Sequence, residues 1–437
     1  MKKVAVVGLW HLGLVNSVGF CKKGYHVTAI DFDKQLISKL KKSTTPIHEP
    51  GLDQLIGEYL KKGQLDFSSN IEEVAQADYI VIAYDSPVNE KDEVDIAPIV
   101  KASEAIAPLI TPKTPLIITS QVPLGSCEKI EATVKKINPS WASGVVYTPE
   151  NLRLGSAIEL FTQPDMIVLG SNHKNSLEAA HDLYAPFKTN KFSMNLRSAE
   201  MVKHAINTFL ATSITFGNEI ANISDRLGAD AVAVGMAIKA DRRIGKAPVL
   251  PGLGFSGGTL ARDVEQLKKF SREINYPGKL LQSITAINED SFNQIILKLR
   301  NQLGRLEGKT IGILGLTYKP GTSTLRRSPA LKIIDKLLSA KAICLSYDPL
   351  ASDKELQEIK LKVKRMSSVS DLAKKSDALV LVTEWPEFKE LDFKNLSKLM
   401  ESPLMIDTKN FLDPENLVNA GFNYVGYGRS LEAKESL

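Results

Sequence analysis

The sequence predicts an α/β protein in which two doubly wound domains flank a helical middle region. Short apolar runs alternate with helical segments over residues 1–196, and the same alternation returns over residues 304–437. Between them, residues 197–303 are helical in period and carry no strand pattern. Alternating strands and helices are typical of parallel sheets with helices on both faces. We therefore expect three domains with these boundaries.

The first domain opens with an apolar run at 3–7, a helix at 12–21 and a second strand at 25–30. These runs show little alternation of polar and apolar residues, as expected for strands buried on both faces. Further strands are predicted at 78–84, 115–120 and 144–149, with a helix over 98–110.

The middle region contains two long predicted helices, one from about residue 198 and one over 279–303. Strands return at 309–316, 342–349, 377–383 and 403–408. The openings VAVVGLWHLG and TIGILGLTYK are loosely alike, which suggests that the two α/β domains share a fold.

Composition excludes several classes of protein. The 437 residues are 43% hydrophobic and 24% charged, with a net charge of +5 spread along the chain. This is ordinary for a globular protein, and we expect neither nucleic acid nor a membrane as a partner. The three cysteines are far apart and outside any metal-ligand spacing, so we expect no disulfide framework, no metal site and a reducing, cytoplasmic compartment.

The segment Gly8-Leu-Trp10-His-Leu-Gly13 joins a predicted strand to a predicted helix. This is the context of the Rossmann dinucleotide fingerprint, and Asp31 ends the next strand where a carboxylate favours NAD over NADP. Trp10 stands where the fingerprint has glycine, which leaves open a Rossmann-like domain that does not bind NAD. The candidate cofactor-binding residues here are Gly8, Trp10, His11, Leu12, Gly13 and Asp31.

Residues 254–263, GFSGGTLARD, form a glycine-rich turn that leads into a helical stretch. Such a turn is suited to holding a reactive side chain, yet Thr259 stands where a nucleophile would be expected.

The whole set of motifs resembles the UDP-glucose/GDP-mannose dehydrogenase family from residue 1 to about 429. Each motif is weak alone, but their order and spacing are specific. They are PIHEPGL (46–52), DSP (85–87), SQVPLGS (120–126), PENLRLG (149–155), EMVKHAIN (200–207), DRRIG (241–245), GFSGGTLARD (254–263), GLTYKPGTSTLRRSPAL (315–331) and YDP (347–349).

The resemblance implies an NAD-dependent enzyme that oxidises C6 of a nucleotide-linked sugar, with a UDP-hexose favoured, by two hydride transfers. It implies an N-terminal NAD domain, a central helical domain that forms a homodimer, and a C-terminal nucleotide-sugar domain. In the family, a cysteine captures the intermediate aldehyde and water hydrolyses the thioester.

The resemblance also implies residue roles. Glu150 positions or activates water, Lys203 stabilises developing oxyanion charge with Asn207 as its partner, and Asp263 lies near the hydrolytic water. The implied cofactor contacts are Ser86, Pro87, Val122 and Arg326. The implied substrate contacts are Glu150, Asn151, Leu152, Arg153, Leu154, Lys203, Asn207, Gly254, Phe255, Gly257, Gly258 and Lys319.

Two departures bear on the chemistry. The family cysteine falls at Thr259 and the family's second glutamate falls at Leu154, which places full oxidation to the uronate in question. Five readings stay open: one oxidation to a C6 aldehyde, NAD-dependent epimerisation, direct oxidation of an aldehyde hydrate, capture of the aldehyde by Thr259 itself, and a non-catalytic relative that binds a nucleotide sugar.

Overall fold

The fold is described from a computed structural model, which covers residues 1–86, 94–150, 152–256, 259–359 and 362–431. The chain divides into two compact units, residues 1–204 and 205–437. The dividing point falls inside one long helix, so the predicted three-domain boundaries stay a prediction.

The first unit contains eight strands among its described residues. They are β1 Lys3–Val7, β2 His26–Ile30, β3 Leu65–Ser68, β4 Tyr79–Ile82, β5 Leu116–Ile118, β6 Val145–Tyr147, β7 Met166–Gly170 and β8 Asn190–Met194. Its helices are α1 His11–Lys22, α2 Lys34–Leu40, α3 Leu52–Lys61, α4 Ala97–Ile106, α5 Ser126–Ile137, α6 Ala157–Thr162, α7 Lys174–Leu183 and the start of α8 Leu196–Leu227. Short 3₁₀ turns cover Ile71–Gln76 and Ala107–Leu109.

The first sheet has the order β3-β2-β1-β4-β5-β6-β7-β8. The six strands from β3 to β6 are parallel, while β7 pairs antiparallel with β6 and β8 runs parallel to β7. Along β1, Val4 and Val6 pack into one core, whereas Ala5 and Val7 pack into another on the opposite face. Both faces are covered, which explains the continuous apolar runs in the sequence.

The second unit contains the rest of α8, eight further helices and seven strands among its described residues. Its other helices are α9 Ala231–Ala240, α10 Leu260–Glu273, α11 Lys279–Leu303, α12 Pro329–Ser339, α13 Asp353–Glu358, α14 Val369–Ala373, α15 Phe393–Lys398 and α16 Pro414–Asn419, with a 3₁₀ turn at Pro386–Glu390. Its strands are β9 Thr310–Leu314, β10 Ile343–Tyr347, β11 Val363–Arg365, β12 Ala378–Leu381, β13 Leu404–Asp407, β14 Asn423–Gly426 and β15 Arg429–Leu431.

The second sheet has the order β11-β10-β9-β12-β13-β14-β15 and is parallel except for β15. From β9, the chain adds β10 and β11 on one side and then crosses to add β12 and β13 on the other side. Doubly wound sheets have this change in the order of strands. One of its cores also takes in Phe292 and Ile295 of α11, so the central helices and the C-terminal sheet share apolar packing. The predicted fold class, two doubly wound α/β sheets with a helical central region, is confirmed.

The two sheets open in the same way, as the similar sequences suggested. Gly8 follows β1 with a φ of +95°, and Gly315 follows β9 with a φ of +89°. The next residue in each case, Leu9 or Leu316, donates its N–H to an aspartate after the neighbouring strand. In the second sheet that aspartate, Asp348, is fully buried and engaged by several donors.

Over the described residues, none of the helices has both the length and the apolar character needed to cross a membrane.

Candidate active site and cofactor site

The glycine loop after β1 forms a turn that excludes side chains at two positions. A Cβ on Gly13 would lie 1.7 Å from the carbonyl oxygen of Gly8, and a Cβ on Gly8 would lie 2.8 Å from the ring of Tyr84. At the end of β2, Asp31 accepts the N–H of Leu9 at 2.8 Å. A tight turn, a helix amino terminus and a carboxylate at this edge fit the diphosphate and ribose of NAD.

Trp10 does not fill this loop. The residue directly precedes α1, and its side chain is 48% exposed. The indole therefore turns toward solvent, and the glycine turn forms without glycine at this position.

His11, the first residue of α1, is held by a buried carboxylate. Its Nε2 lies 2.9 Å from Oε2 of Glu49, which is 3% exposed. Glu49 also accepts the N–H groups of Gly155 and Ala157 at 2.8 Å each. These hydrogen bonds and His11 lower the pKa of Glu49 against the opposing effect of burial. Glu49 thus joins the glycine loop to the amino end of α6.

The other predicted cofactor contacts differ in how exposed they are and in what they bond to. Ser86 donates its hydroxyl to the carbonyl of Gln121 at 2.6 Å, which ties the two predicted loops together. Val122 is buried, whereas Arg326 is exposed in the second unit. Pro87 lies outside the described residues.

Lys203 and Glu150 lie together in the first unit. The ammonium of Lys203 donates to the backbone carbonyl of Glu150 at 2.8 Å. Burial raises the pKa of the Glu150 carboxyl to about 7, although the charge of Lys203 acts in the opposite direction. A carboxyl with this pKa exchanges a proton readily near neutral pH.

Asn207 and Asp263 form the corresponding pair in the second unit. The side-chain amide of Asn207, on α8, donates to Oδ2 of Asp263, on α10, at 2.5 Å. Asp263 is fully buried and Asn207 is 6% exposed. Lys203 and Asn207 are one helical turn apart on α8, so the helix presents both from the same face.

Thr259 and Leu154, the two positions that the resemblance matches to the family cysteine and second glutamate, are both exposed. Thr259 directly precedes α10, and its side chain makes no capping hydrogen bond to that helix. Leu154 is 42% exposed. Neither position supplies a thiol or a carboxylate.

The remaining predicted substrate contacts are only partly described. Gly254 donates its N–H to Ser291 at 3.1 Å, and Asn288 donates to the carbonyl of Phe255 at 3.0 Å, so α11 holds the start of this loop. Arg153 and Lys319 are exposed, and Leu152 packs against the first core. Asn151, Gly257 and Gly258 lie outside the described residues.

Three carboxylates near these sites were missed by sequence reasoning: Glu49, Asp85 and Glu200. Glu49 lies in PIHEPGL and Asp85 in DSP, so both motifs were noted without a role for the acidic residue. Glu200 accepts the N–H groups of Gly125 and Cys127 at 2.6 and 2.9 Å, so it joins α8 to the amino end of α5. Their partners are distant in sequence, and spacing alone does not reveal them.

Comparison with known proteins identifies the family of the chain. Three family models match: the NAD binding domain of the UDP-glucose/GDP-mannose dehydrogenase family over residues 2–188, its central domain over 197–290 and its UDP binding domain over 312–414. The UDP-glucose 6-dehydrogenase YwqF of Bacillus subtilis is 33% identical over 428 residues, which are 98% of this chain and 97% of that protein.

Solved structures show the same similarity. A UDP-glucose dehydrogenase from Pyrobaculum islandicum superposes with a TM-score of 0.84 at 28% identity, covering 98% of each chain. A UDP-D-ManNAc dehydrogenase from Pyrococcus horikoshii gives a TM-score of 0.82 at 25% identity, covering 98% of this chain and 99% of that one.

The chain belongs to the UDP-glucose/GDP-mannose dehydrogenase family. It is an NAD-dependent nucleotide-sugar dehydrogenase, and NAD is its cofactor.

Proposed function

We propose that the protein oxidises the C6 hydroxyl of a UDP-hexose and stops after one hydride transfer. The UDP-hexose is favoured by the UDP binding domain and by relatives named as UDP-glucose 6-dehydrogenases. The observation that carries the proposal is a difference between two groups of residues. The Lys203–Glu150 and Asn207–Asp263 pairs are formed, whereas Thr259 and Leu154 offer no thiol and no carboxylate.

The first half-reaction needs charge stabilisation and a proton acceptor. NAD, when bound, accepts the hydride from C6. The ammonium of Lys203 stabilises negative charge as it develops on the C6 oxygen. Glu150, with a pKa of about 7, accepts the hydroxyl proton near neutral pH. The alcohol thereby loses a hydride and a proton and becomes an aldehyde.

The second half-reaction of the family requires a nucleophile that attacks this aldehyde. A cysteine is partly ionised near neutral pH, whereas a threonine hydroxyl needs an adjacent base. Thr259 is exposed at the start of α10, and Leu154 replaces a group that would manage protons. The aldehyde or its hydrate is therefore the expected product.

The stoichiometry of NADH per sugar tests this proposal. The purified protein is incubated with NAD and a panel of UDP- and GDP-sugars, NADH is counted, and the product is identified by mass. One NADH per sugar with an aldehyde product supports a single oxidation. Two NADH with a uronate would overturn it and favour a hydrate route or capture by Thr259. An isomerised sugar without net NADH would indicate epimerisation, and sugar binding without turnover would indicate a non-catalytic relative.

We also propose that the protein is a homodimer joined through α8. Phe209, Phe216 and Ile223 are spaced by seven residues on this helix and are 63%, 48% and 48% exposed. A seven-residue spacing places them in one stripe, and large exposed apolar stripes mark protein interfaces. A second copy of the chain is the expected partner.

The cellular setting stays a prediction. Oxidised UDP-sugars are precursors for polysaccharide biosynthesis, which is the role we expect. The cytoplasm is the expected compartment, and its support is that Cys21, Cys127 and Cys344 are all free and buried.

A further inference from the structure

The amino end of α1 already holds a carboxylate of the chain. The N–H of Leu12, in the first turn of α1, donates to Oδ2 of Asp85 at 2.9 Å. Asp85 lies just after β4, on the neighbouring strand of the sheet, and its side chain is exposed. The first turn of α1 contains no acidic residue, and Trp10 supplies no side-chain cap. Asp85 therefore acts as an external cap of this helix.

This position matters because a helix amino terminus after a glycine turn is where a dinucleotide places its diphosphate. The attraction comes from backbone N–H groups without helical partners and from the positive end of the helix dipole. A carboxylate that is bonded to one of these N–H groups occupies a donor that a diphosphate would need. It is also attracted by the same positive end of the helix dipole. It also repels a phosphate that approaches the helix end.

The surrounding charges increase this repulsion. Among the described residues, Asp31, Asp85 and Glu49 bring three carboxylates to the glycine loop or to its first helical residue. The imidazole of His11 is the facing basic group, and it is already paired with Glu49 at 2.9 Å. The loop thus has the turn geometry of a diphosphate site together with an excess of negative charge.

We propose that Asp85 sets the affinity for the cofactor by competing with the NAD diphosphate for the amino end of α1. In the free protein the carboxylate caps Leu12. Binding of NAD requires Asp85 to release that N–H, which weakens binding of both NAD and NADH because they carry the same diphosphate. Asp85 is a determinant of cofactor affinity, and it takes no part in the oxidation.

Calorimetric titration of the full chain tests this competition without any sugar. Asp85→Asn keeps the shape of the side chain and removes its charge, and Asp85→Ala also frees the N–H of Leu12. The ligands are NAD and ADP, which carry a diphosphate, and adenosine, which carries none. We expect Kd for NAD and ADP to fall about tenfold in both variants, the scale of a favourable charge at a helix terminus. Adenosine should bind both variants and the parent protein equally.

Asp78→Asn is the matched control. Asp78 also accepts one backbone N–H, that of Lys3 at 2.7 Å, but at the opposite edge of the same sheet. It should leave every Kd unchanged. The proposal would be overturned if Asp85→Asn bound NAD no more tightly than the parent protein does. It would also be overturned if the affinity for adenosine rose by the same factor as that for NAD. Thermal unfolding midpoints measured without ligand show whether the Asp85→Ala variant is folded. If that variant is unfolded, the affinity of Asp85→Asn alone tests the proposal. Because no sugar is oxidised, the result does not depend on the proposed single oxidation.

Discussion

At the scale of single residues, the side chains at positions 259 and 154 set the expected extent of oxidation. Thr259→Cys introduces a thiol at the start of α10, and Leu154→Glu introduces a carboxylate. A thiol would add to the aldehyde and give a thiohemiacetal, and loss of a second hydride to NAD would convert this adduct into a thioester. A carboxylate would then assist hydrolysis of the thioester. We expect the double variant to form uronate about tenfold faster or more than either single variant. Product analysis by mass and NADH counting measures this.

Thr259→Ser is the matched control for the nucleophile, because it keeps a hydroxyl and removes only a methyl group. It should leave the yield of uronate at the parent level. Equal uronate formation by the parent protein and the double variant would show that the lost thiol does not limit the reaction.

We expect Glu150 to make the rate of hydride transfer depend on pH. Burial raises its pKa to about 7, so the carboxyl is mostly protonated below this pH and ionised above it. A general base acts in its ionised form, so we expect the rate to rise with pH through about 7. Glu150→Gln should abolish this rise and lower the rate at pH 8. Single-turnover NADH formation across pH 6–9 measures both, and a rise that persists in Glu150→Gln would assign it to another group.

The same raised pKa affects stability in the opposite direction. The folded protein favours protonated Glu150, so the contribution of this group to stability is present at low pH and is lost as pH rises through about 7.

The sequence predicts the candidate residues of the site better than it predicts their hydrogen-bond partners. Gly8 and Gly13 lie in the predicted turn, and Asp31 accepts the N–H of Leu9 in that turn from the end of β2. This geometry follows from a strand–turn–helix pattern. The consequence of Trp10 could not be predicted, because whether a large side chain turns inward or toward solvent depends on its neighbours in space. The contact between Asp85 and Leu12 spans 73 residues and required the structure.

At the scale of elements, Glu200 joins two helices that flank the predicted active site. It lies on α8 close to Lys203, is fully buried, and accepts two N–H groups at the amino end of α5. Glu200→Ala leaves both N–H groups without this acceptor, at a cost of about 2 kcal/mol or more. We expect the unfolding temperature of the Glu200→Ala variant, measured by scanning calorimetry, to be several degrees lower than that of the parent protein.

Glu128→Ala is the matched control, because Glu128 also joins α5 to α8. Its carboxylate pairs with Arg197 at 2.8 Å, but the arginine side chain is 73% exposed. An exposed ion pair contributes about 1 kcal/mol at most, so the midpoint should hardly move. A shift in Glu128→Ala as large as that in Glu200→Ala would refute the assigned role of the buried hydrogen bonds.

The strands that the sequence predicted have continuous apolar runs, although β7, whose run is also apolar, was not predicted. The central strands β1, β4, β9 and β12 belong to this group because both of their faces are buried. Among the described residues, six strands were missed. Four of them, β3, β8, β11 and β15, lie at sheet edges. The other two, β7 and β14, lie inside a sheet and are largely buried, but they are short. The reversal of direction between β6 and β7 was also missed, because apolar content carries no information on strand direction.

At the scale of the whole molecule, the apolar stripe on α8 predicts the oligomeric state. Phe216→Glu places a charge at the centre of the stripe formed by Phe209, Phe216 and Ile223. Burying an unpaired carboxylate in an apolar interface is costly, so the variant should be monomeric. Sedimentation velocity should give twice 47.9 kDa for the parent protein and 47.9 kDa for the variant.

Ile343→Glu is the control, because Ile343 is 52% exposed at the start of β10 and lies outside the stripe. It should sediment like the parent protein. A parent protein that sediments as a monomer, or a Phe216→Glu variant that stays dimeric, would contradict an interface on this face of α8.

The 32 residues of α8 begin in one compact unit and end in the other. The division at residues 204 and 205 falls between Lys203 and Asn207, the two residues that this helix is proposed to contribute to catalysis. Neither unit by itself therefore contains both of these residues. A fusion that joins the first unit to the second unit of a relative would take Lys203 from one parent and Asn207 from the other, so the two residues would come from helices with different sequences.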